Sequence, residues 1–196
     1  MNEITYNRYK FICDYLIKNY YSSRVELRYI DKDDKADYFE LFDDKESNHN
    51  SGLPLEMNEE YKLNRLNEAI NLSGYFELPL GIVYKENNKL IGTISIADRP
   101  YFYTHEKLKN IKGLGLSFML NSSYQRKGIM SEVLREVLSL LKREELHLDF
   151  INAGYYSYNE GSKILQEKMG FKPLFEAVLE FNGERRTVIE CFIFNK

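Results

Sequence analysis

The apolar positions of this chain change period several times, and each change marks an element. Tyr9, Phe11, Ile12, Tyr15, Leu16 and Tyr20 recur at helical spacing through residues 1–23, which read as a helical extension packed on a domain spanning 24–196. Val25 to Ile30 alternates like a short strand. Asp33 is suited to cap a helix over 34–43, in which Ala36, Phe39, Leu41 and Phe42 pack. The polar run 44–57, with Ser47, Asn48, Asn50, Gly52 and Pro54, predicts a loop. Asn58 then caps a helix carrying Leu63, Leu66, Ala69 and Ile70, and Ser73-Gly74 ends it.

Two β-rich runs, Gly81 to Tyr84 and Leu90 to Ala97, flank Asn87-Asn88 and predict a hairpin. A polar, tyrosine-rich connection over 98–112 leads to another strand, Leu114 to Leu120. Beyond it Ile129, Val133, Val137 and Leu141 fall four apart, with Met130, Leu134 and Leu138 in the adjoining row, so a helix with a broad apolar face is expected. Leu148 to Ala153 reads as a strand buried on both sides. Asn159 or Ser157 starts a helix carrying Ile164, Leu165 and Met169, which Gly170 stops. Phe175 to Phe181 and Thr187 to Phe194 surround Asn182-Gly183 as a long hairpin. The fold class is α+β, with a mixed, mostly antiparallel central sheet flanked by helices on both faces.

Composition narrows the function classes. With 196 residues, 43% hydrophobic and 29% charged, the chain is an ordinary globular domain with enough length for a sizeable core. A net charge of −3 argues against a general nucleic-acid surface. No apolar run approaches membrane-spanning length, and the N-terminus has no signal-peptide pattern. Cys13 and Cys191, far apart and without metal-type spacing, fit a reducing cytoplasm. No metal site and no hydrolase or nucleotidase motif is expected.

The chemistry concentrates at Tyr124-Gln125-Arg126-Lys127-Gly128-Ile129-Met130, between a strand and a strongly amphipathic helix. A helix start leaves backbone N–H groups unpaired and partially positive, which favours an anion. Gly128 permits close backbone approach, and Arg126 and Lys127 add charge. The site reads as a cradle for a phosphate-bearing molecule.

Gln125-x-x-Gly128-x-Met130, followed by Asn159-Glu160-Gly161-Ser162 and Lys168-Met169-Gly170-Phe171, resembles the signature segments of the GNAT N-acetyltransferase superfamily. Leu90 to Ile94 and Val25 to Arg28 are similar to its third and first strands. The resemblance covers roughly 25–194, and within the superfamily it is greatest to the RimJ/RimL type, which includes ribosomal-protein N-terminal acetyltransferases. Met130 departs from the small residue usual there, although its N–H remains able to donate.

That resemblance implies an acetyl-CoA-dependent N-acetyltransferase working by direct transfer to a primary amine, either a protein N-terminus or a small molecule. It implies that the backbone of Phe118, Met119 and Leu120 pairs with the pantetheine arm. Gln125 and the amides of Arg126, Lys127, Gly128, Ile129, Met130 and Ser131 would hold the pyrophosphate. Asn159 would contact the cofactor arm, and Ser162 would protonate the departing thiolate. Each has a plainer reading: turn glycine, solvated basic pair, helix cap, surface hydroxyl. The general base is left open among His49, His105 and Glu77, with Tyr155, Tyr156 and Tyr158 near the thiol. Asp43, Asp44, Glu46 and Glu56 suit a cationic acceptor or simply a solvated surface. The acceptor pocket is expected from residues 44–60, 98–112 and the final hairpin. Expected partners are the amine substrate and a second copy in a homodimer, with no nucleic acid and no membrane. The competing readings are a non-catalytic acyl-CoA-binding module and a structural protein that binds no acetyl-CoA.

Overall fold

A computed structural model describes residues 3–73, 77–181 and 184–195. The elements run α1 (Glu3–Asn19), β1 (Val25–Arg28), α2 (Lys35–Asp43), α3 (Lys45–Asn50), α4 (Glu59–Ile70), β2 (Glu77–Tyr84), β3 (Lys89–Ala97) and β4 (Gly113–Leu120). They continue α5 (Ile129–Leu141), β5 (Phe150–Tyr156), α6 (Glu160–Met169), β6 (Lys172–Phe181) and β7 (Glu184–Phe194). The strands form one seven-stranded sheet in the order β1-β2-β3-β4-β5-β7-β6. Every neighbouring pair is antiparallel except β4 and β5, which run parallel.

Strand alternation sorts the side chains between two faces of unlike character. On one face Leu78, Leu80 and Ile82, Leu114 and Leu116, and Ile151 and Ala153 form a continuous core with α1 and α5. Helix α1 contributes Tyr9, Ile12, Cys13 and Leu16, and burial pushes the Cys13 thiol up to about 12. The other face carries two separate apolar clusters. One packs Tyr38 and Phe42 of α2 and Leu66 and Ala69 of α4 against Val83 and Leu90. The other packs Phe102 and Leu108 of the 98–112 connection on Phe150 and Phe192. Between them lie Thr93, Ser95, Ser117, Asn152, Gly154 and Glu190. A Leu-sized side chain buried at any of these would contribute roughly 1.5–3 kcal/mol, so this polar gap is kept at a cost to stability.

The elements differ from expectation mainly in the loops. The run 44–57 contains a short helix, because Asp44 caps α3 by accepting from Ser47 N at 3.1 Å. Asp31, not Asp33, caps the 3-10 turn that leads into α2, and α2 begins at Lys35. Strand β5 continues to Tyr156, three residues past Ala153. Asn58 and Asn159 cap α4 and α6, and Gly170 ends α6 at φ 92°. The stop at Ser73-Gly74 and the turn at Asn182-Gly183 fall at Gly74, Asn182 and Gly183, outside the described residues. Strands β6 and β7 pair antiparallel as far as Phe181 and Glu184.

Candidate active site

The parallel pair β4–β5 separates partway along. It is paired from Gly113–Phe150 to Leu116–Ala153, whereas β4 stays on β3 to Leu120 and β5 stays on β7 to Tyr156. Past Leu116 the two strands therefore diverge and leave a wedge in the middle of the sheet. Asn121 N donates to Ile91 O at 2.9 Å. Main-chain groups alternate along a strand, so those of Met119 and Ser117 also face β3 while those of Phe118 and Leu120 face the wedge. An extended ligand lying in the wedge would find a ready strand edge there.

The wedge opens beside the glycine turn. No acceptor within the described residues takes the N–H groups of Arg126 through Ser131, and the first helical bond is Glu132 N to Gly128 O at 3.0 Å. Gly128 caps α5 at φ 76°, a conformation that disfavours any side chain, and Arg126 is also left-handed at φ 57°. Arg24 holds the turn from outside. It donates to the Lys127 carbonyl (Nη1, 2.9 Å) and to Glu132 Oε2 (Nε, 2.7 Å). That bond turns a carbonyl away and leaves amides at the surface. Arg24 carried no sequence signal for this role, since it lies 103 residues from Lys127. Lys127 Nζ lies 5.4 Å from the Tyr124 ring centroid, and Arg126 is 89% exposed with a distant Glu46 partner at 3.6 Å.

Gln125 is structural as well as local. Its Nε2 donates to Leu120 O at 2.8 Å and to Ser47 Oγ at 3.1 Å. Asp44 accepts from Ser122 N at 2.5 Å and from Ser47, so α3, the end of β4 and the turn form one network. Burial pushes the Asp44 carboxyl up, but these donors outweigh it and hold it below the usual carboxylate range. The other loop acids are also partnered: Asp43 with Lys62 at 2.7 Å, and Glu56 with Lys45 at 2.6 Å. They do not converge on one place.

On the other side of the wedge, Asn159 Oδ1 accepts from Ser162 N and its Nδ2 donates to Asn50 O, each at 2.9 Å. Two more contacts hold the same segment. Tyr158 OH donates to His49 O at 2.9 Å, and Tyr156 packs so closely on Gly52 that a Cβ there would lie 2.2 Å from its hydroxyl. Ser162 is half-buried, and its Oγ accepts from Gln166 Nε2 at 3.1 Å, leaving its own proton available. The fully buried Gln166 also donates to Gly154 O at 3.0 Å.

Two cavities adjoin the wedge. A cleft of about 170 Å³ lies between α2, α4 and strands β2–β4, lined by Tyr38, Arg65, Glu77, Thr93, Ser117 and Phe118 among others. A groove of about 640 Å³ runs past His49, Tyr158, Arg185 and Thr187. Leu53 lines both. Of the base candidates, Glu77 pairs with Arg65 at 3.3 Å. His49 stacks on Tyr158 at 4.7 Å and His105 on Phe175 at 4.6 Å. Tyr155 is buried in the main core. Among the described residues, no group of three His, Cys, Asp or Glu is placed to hold a metal ion, and no helix is long and apolar enough to cross a membrane.

Known proteins carry the same frame. Residues 24–172 match the family model described as the acetyltransferase (GNAT) domain. No curated protein matches the sequence. Among solved structures, a GNAT-family acetyltransferase from Bacillus anthracis aligns with TM-score 0.71 at 17% identity, over 89% of this chain and 96% of its own. RimL, a ribosomal L7/L12 α-N-protein acetyltransferase, aligns at 0.70 and 18%, over 88% and 91%. A spermidine N-acetyltransferase from Vibrio cholerae, in complex with CoA and spermine, aligns at 0.67 and 18%, over 89% and 97%. With three quarters of its length inside the family model, and with a sheet that opens beside a glycine-capped helix, the chain belongs to the acetyltransferase (GNAT) domain family and is an N-acetyltransferase.

Proposed function

We propose that the chain transfers acetyl directly from acetyl-CoA to a primary amine in the wedge between β4 and β5, with no covalent enzyme intermediate. The observation that carries this reading is the meeting of two features at one place: a stretch of β4 that no neighbouring strand pairs on one side and six consecutive amides with no acceptor among the described residues. Acetyl-CoA supplies an acetyl group already activated as a thioester. The amides of Arg126 to Ser131, with Gly128 at their centre, bind the pyrophosphate, and Gln125 holds that turn against β4. Phe118 pairs through its main chain with the pantetheine arm, and Leu120 through its N–H, its carbonyl being held by Gln125 and Ser47. Met119, whose main chain is engaged by β3, contributes its side chain alone.

An N–H of β4 facing the wedge polarises the carbonyl that receives the amine. Ser162, with Gln166 donating to its oxygen, holds a proton for the departing sulfur. Asn159 lies near the arm and also sets Ser162 by capping α6. No metal is assigned a role.

The acceptor enters from the face covered by α2 to α4. The 170 Å³ cleft suits a single amino group with its immediate neighbours, and the groove leading from it suits a chain that extends outward. That favours a protein N-terminus, in the manner of the RimJ/RimL type, over a compact small amine. Residues 1–23 are read as an extension packed on a domain of 24–196. Exposed Val178 and Leu179 on the edge strand β6 suit pairing with a second copy as a homodimer. Two free, buried cysteines fit a cytoplasmic setting. Incubation with acetyl-CoA and a panel of peptide N-termini and small amines, read by CoA release, tests the proposal. Tight acetyl-CoA binding without any acetylated product would favour the non-catalytic module.

A further inference from the structure

A buried carboxylate stands in the polar gap with no direct ion-pair partner among the described residues. Glu190 is 6% exposed and forms no ion pair among the described residues. Its Oε2 accepts from Asn152 Nδ2 at 2.9 Å, and the Tyr101 hydroxyl lies within hydrogen-bond reach of both Glu190 and Asn152 Oδ1. Within the sheet it sits opposite Gly154 on β5 and Phe175 on β6. A carboxylate buried against neutral donors alone is kept at a cost, which makes a role in the adjoining site worth asking for.

Gly154 directs it. A Cβ at Gly154 would lie 2.9 Å from Glu190 Oε2, so the carboxylate leans over β5 through space that only glycine leaves open. The carboxylate thus lies over β5 at Gly154, the first residue past the last β4–β5 pair and so on the border of the wedge. Ser117 stands on the same face of β4, held by Arg99 Nη2 at 2.7 Å. Other groups able to titrate or carry charge around it are Tyr101 and Arg99 of the connection, Tyr156 of β5, and Cys191 of β7 on the opposite face. His105 of the connection stacks on the neighbouring Phe175. Glu77, an acid that lines the neighbouring cleft, is already paired with Arg65.

We propose that Glu190 is the proton acceptor for the incoming amine, held in place by Asn152 and Tyr101 and given its reach by Gly154. This rests on the transferase reading above. An amine arrives largely as its ammonium, and Glu190 takes one proton to expose the nitrogen lone pair. The nitrogen attacks the acetyl carbonyl carbon, the new N–C bond forms and the C–S bond breaks. Glu190 passes the first proton to solvent and then takes the second from the nitrogen, while the sulfur departs as the thiol with the proton of Ser162, which Ser162 recovers from solvent.

The test compares wild type with Glu190→Gln, which keeps the shape and removes the charge. Acetyl-CoA affinity, followed by thermal shift, should stay within about twofold of wild type. For any amine the wild type acetylates, kcat/KM should fall at least about 100-fold, and the acidic limb of its pH profile should vanish. Glu190→Asp withdraws the carboxylate from over Gly154 and should lose rate while keeping the limb, and it decides the matter if the Gln variant does not fold. A rate within threefold and an unchanged profile in the folded variant overturn the assignment alone. A wild type that binds acetyl-CoA and acetylates no amine overturns the transferase reading and this assignment with it.

Discussion

Gly128→Asp separates binding from folding most cleanly. At φ 76° a non-glycine residue costs about 1–2 kcal/mol, less for Asp, and an Asp N-cap gains only about 0.3 kcal/mol over Gly by accepting from the first turn. The added Cβ meets nothing closer than Arg24 Nη2 at 3.8 Å. Net stability should therefore fall by about 1 kcal/mol, a few degrees in Tm for a chain of this size. Binding should change far more. A carboxylate about 5 Å from each of two phosphate charges costs about 0.8 kcal/mol per pair in a water-like dielectric. Occupying one amide removes a charge-assisted hydrogen bond of about 1.5–3 kcal/mol. Together these come to roughly 3–5 kcal/mol, a loss of a hundredfold or more in CoA affinity. Calorimetric titration of CoA should rank affinity as wild type tightest, Gly128→Ala weaker and Gly128→Asp weakest. A folded Asp variant that binds CoA within threefold of wild type would refute the assignment of the turn.

Ser162→Ala should lower turnover by tenfold or more with acetyl-CoA affinity nearly unchanged; an unaltered kcat would move the acid role to another group. Asn159→Ala removes the α6 cap and the tie to Asn50, together about 2 kcal/mol, and should lower Tm by roughly 4–8 °C; no shift would mean neither bond matters. Acid should destabilise the fold through Asp34 and Asp44. Burial raises both, but Arg28 beside Asp34 and the Ser122 and Ser47 donors beside Asp44 outweigh it and depress them. Their stabilisation is present above the ordinary carboxylate range and is lost as pH falls through the depressed folded values. Tm measured against pH should show a shallower acid decline in Asp34→Asn than in wild type, and parallel curves would exclude that contribution.

Much of the frame was legible because local periods and caps agree with the fold. Helix α5 shows its apolar rows at Ile129, Val133 and Val137, and Asn159 and Gly170 bracket α6 as they bracket it in sequence. What escaped was long-range. Helix α3 hides in a polar run because its support comes from Asp44 and from residues over a hundred positions away, Tyr158 and Asn159. The wedge is a property of where β4 stops pairing with β5, and no periodicity within either strand announces that. Arg24 and Glu190 look like ordinary charged residues in sequence. Their roles come from Lys127 and Gly154, which the fold brings beside them.

The central claim is acetyl transfer to an amine, and its most direct measurement is mass spectrometry of an amine panel after incubation with the protein and acetyl-CoA. At least one peptide N-terminus should gain a single acetyl group with release of one CoA per product, at a rate that Gly128→Asp lowers a hundredfold or more. Saturable acetyl-CoA binding with no acetylated product from any amine would contradict it.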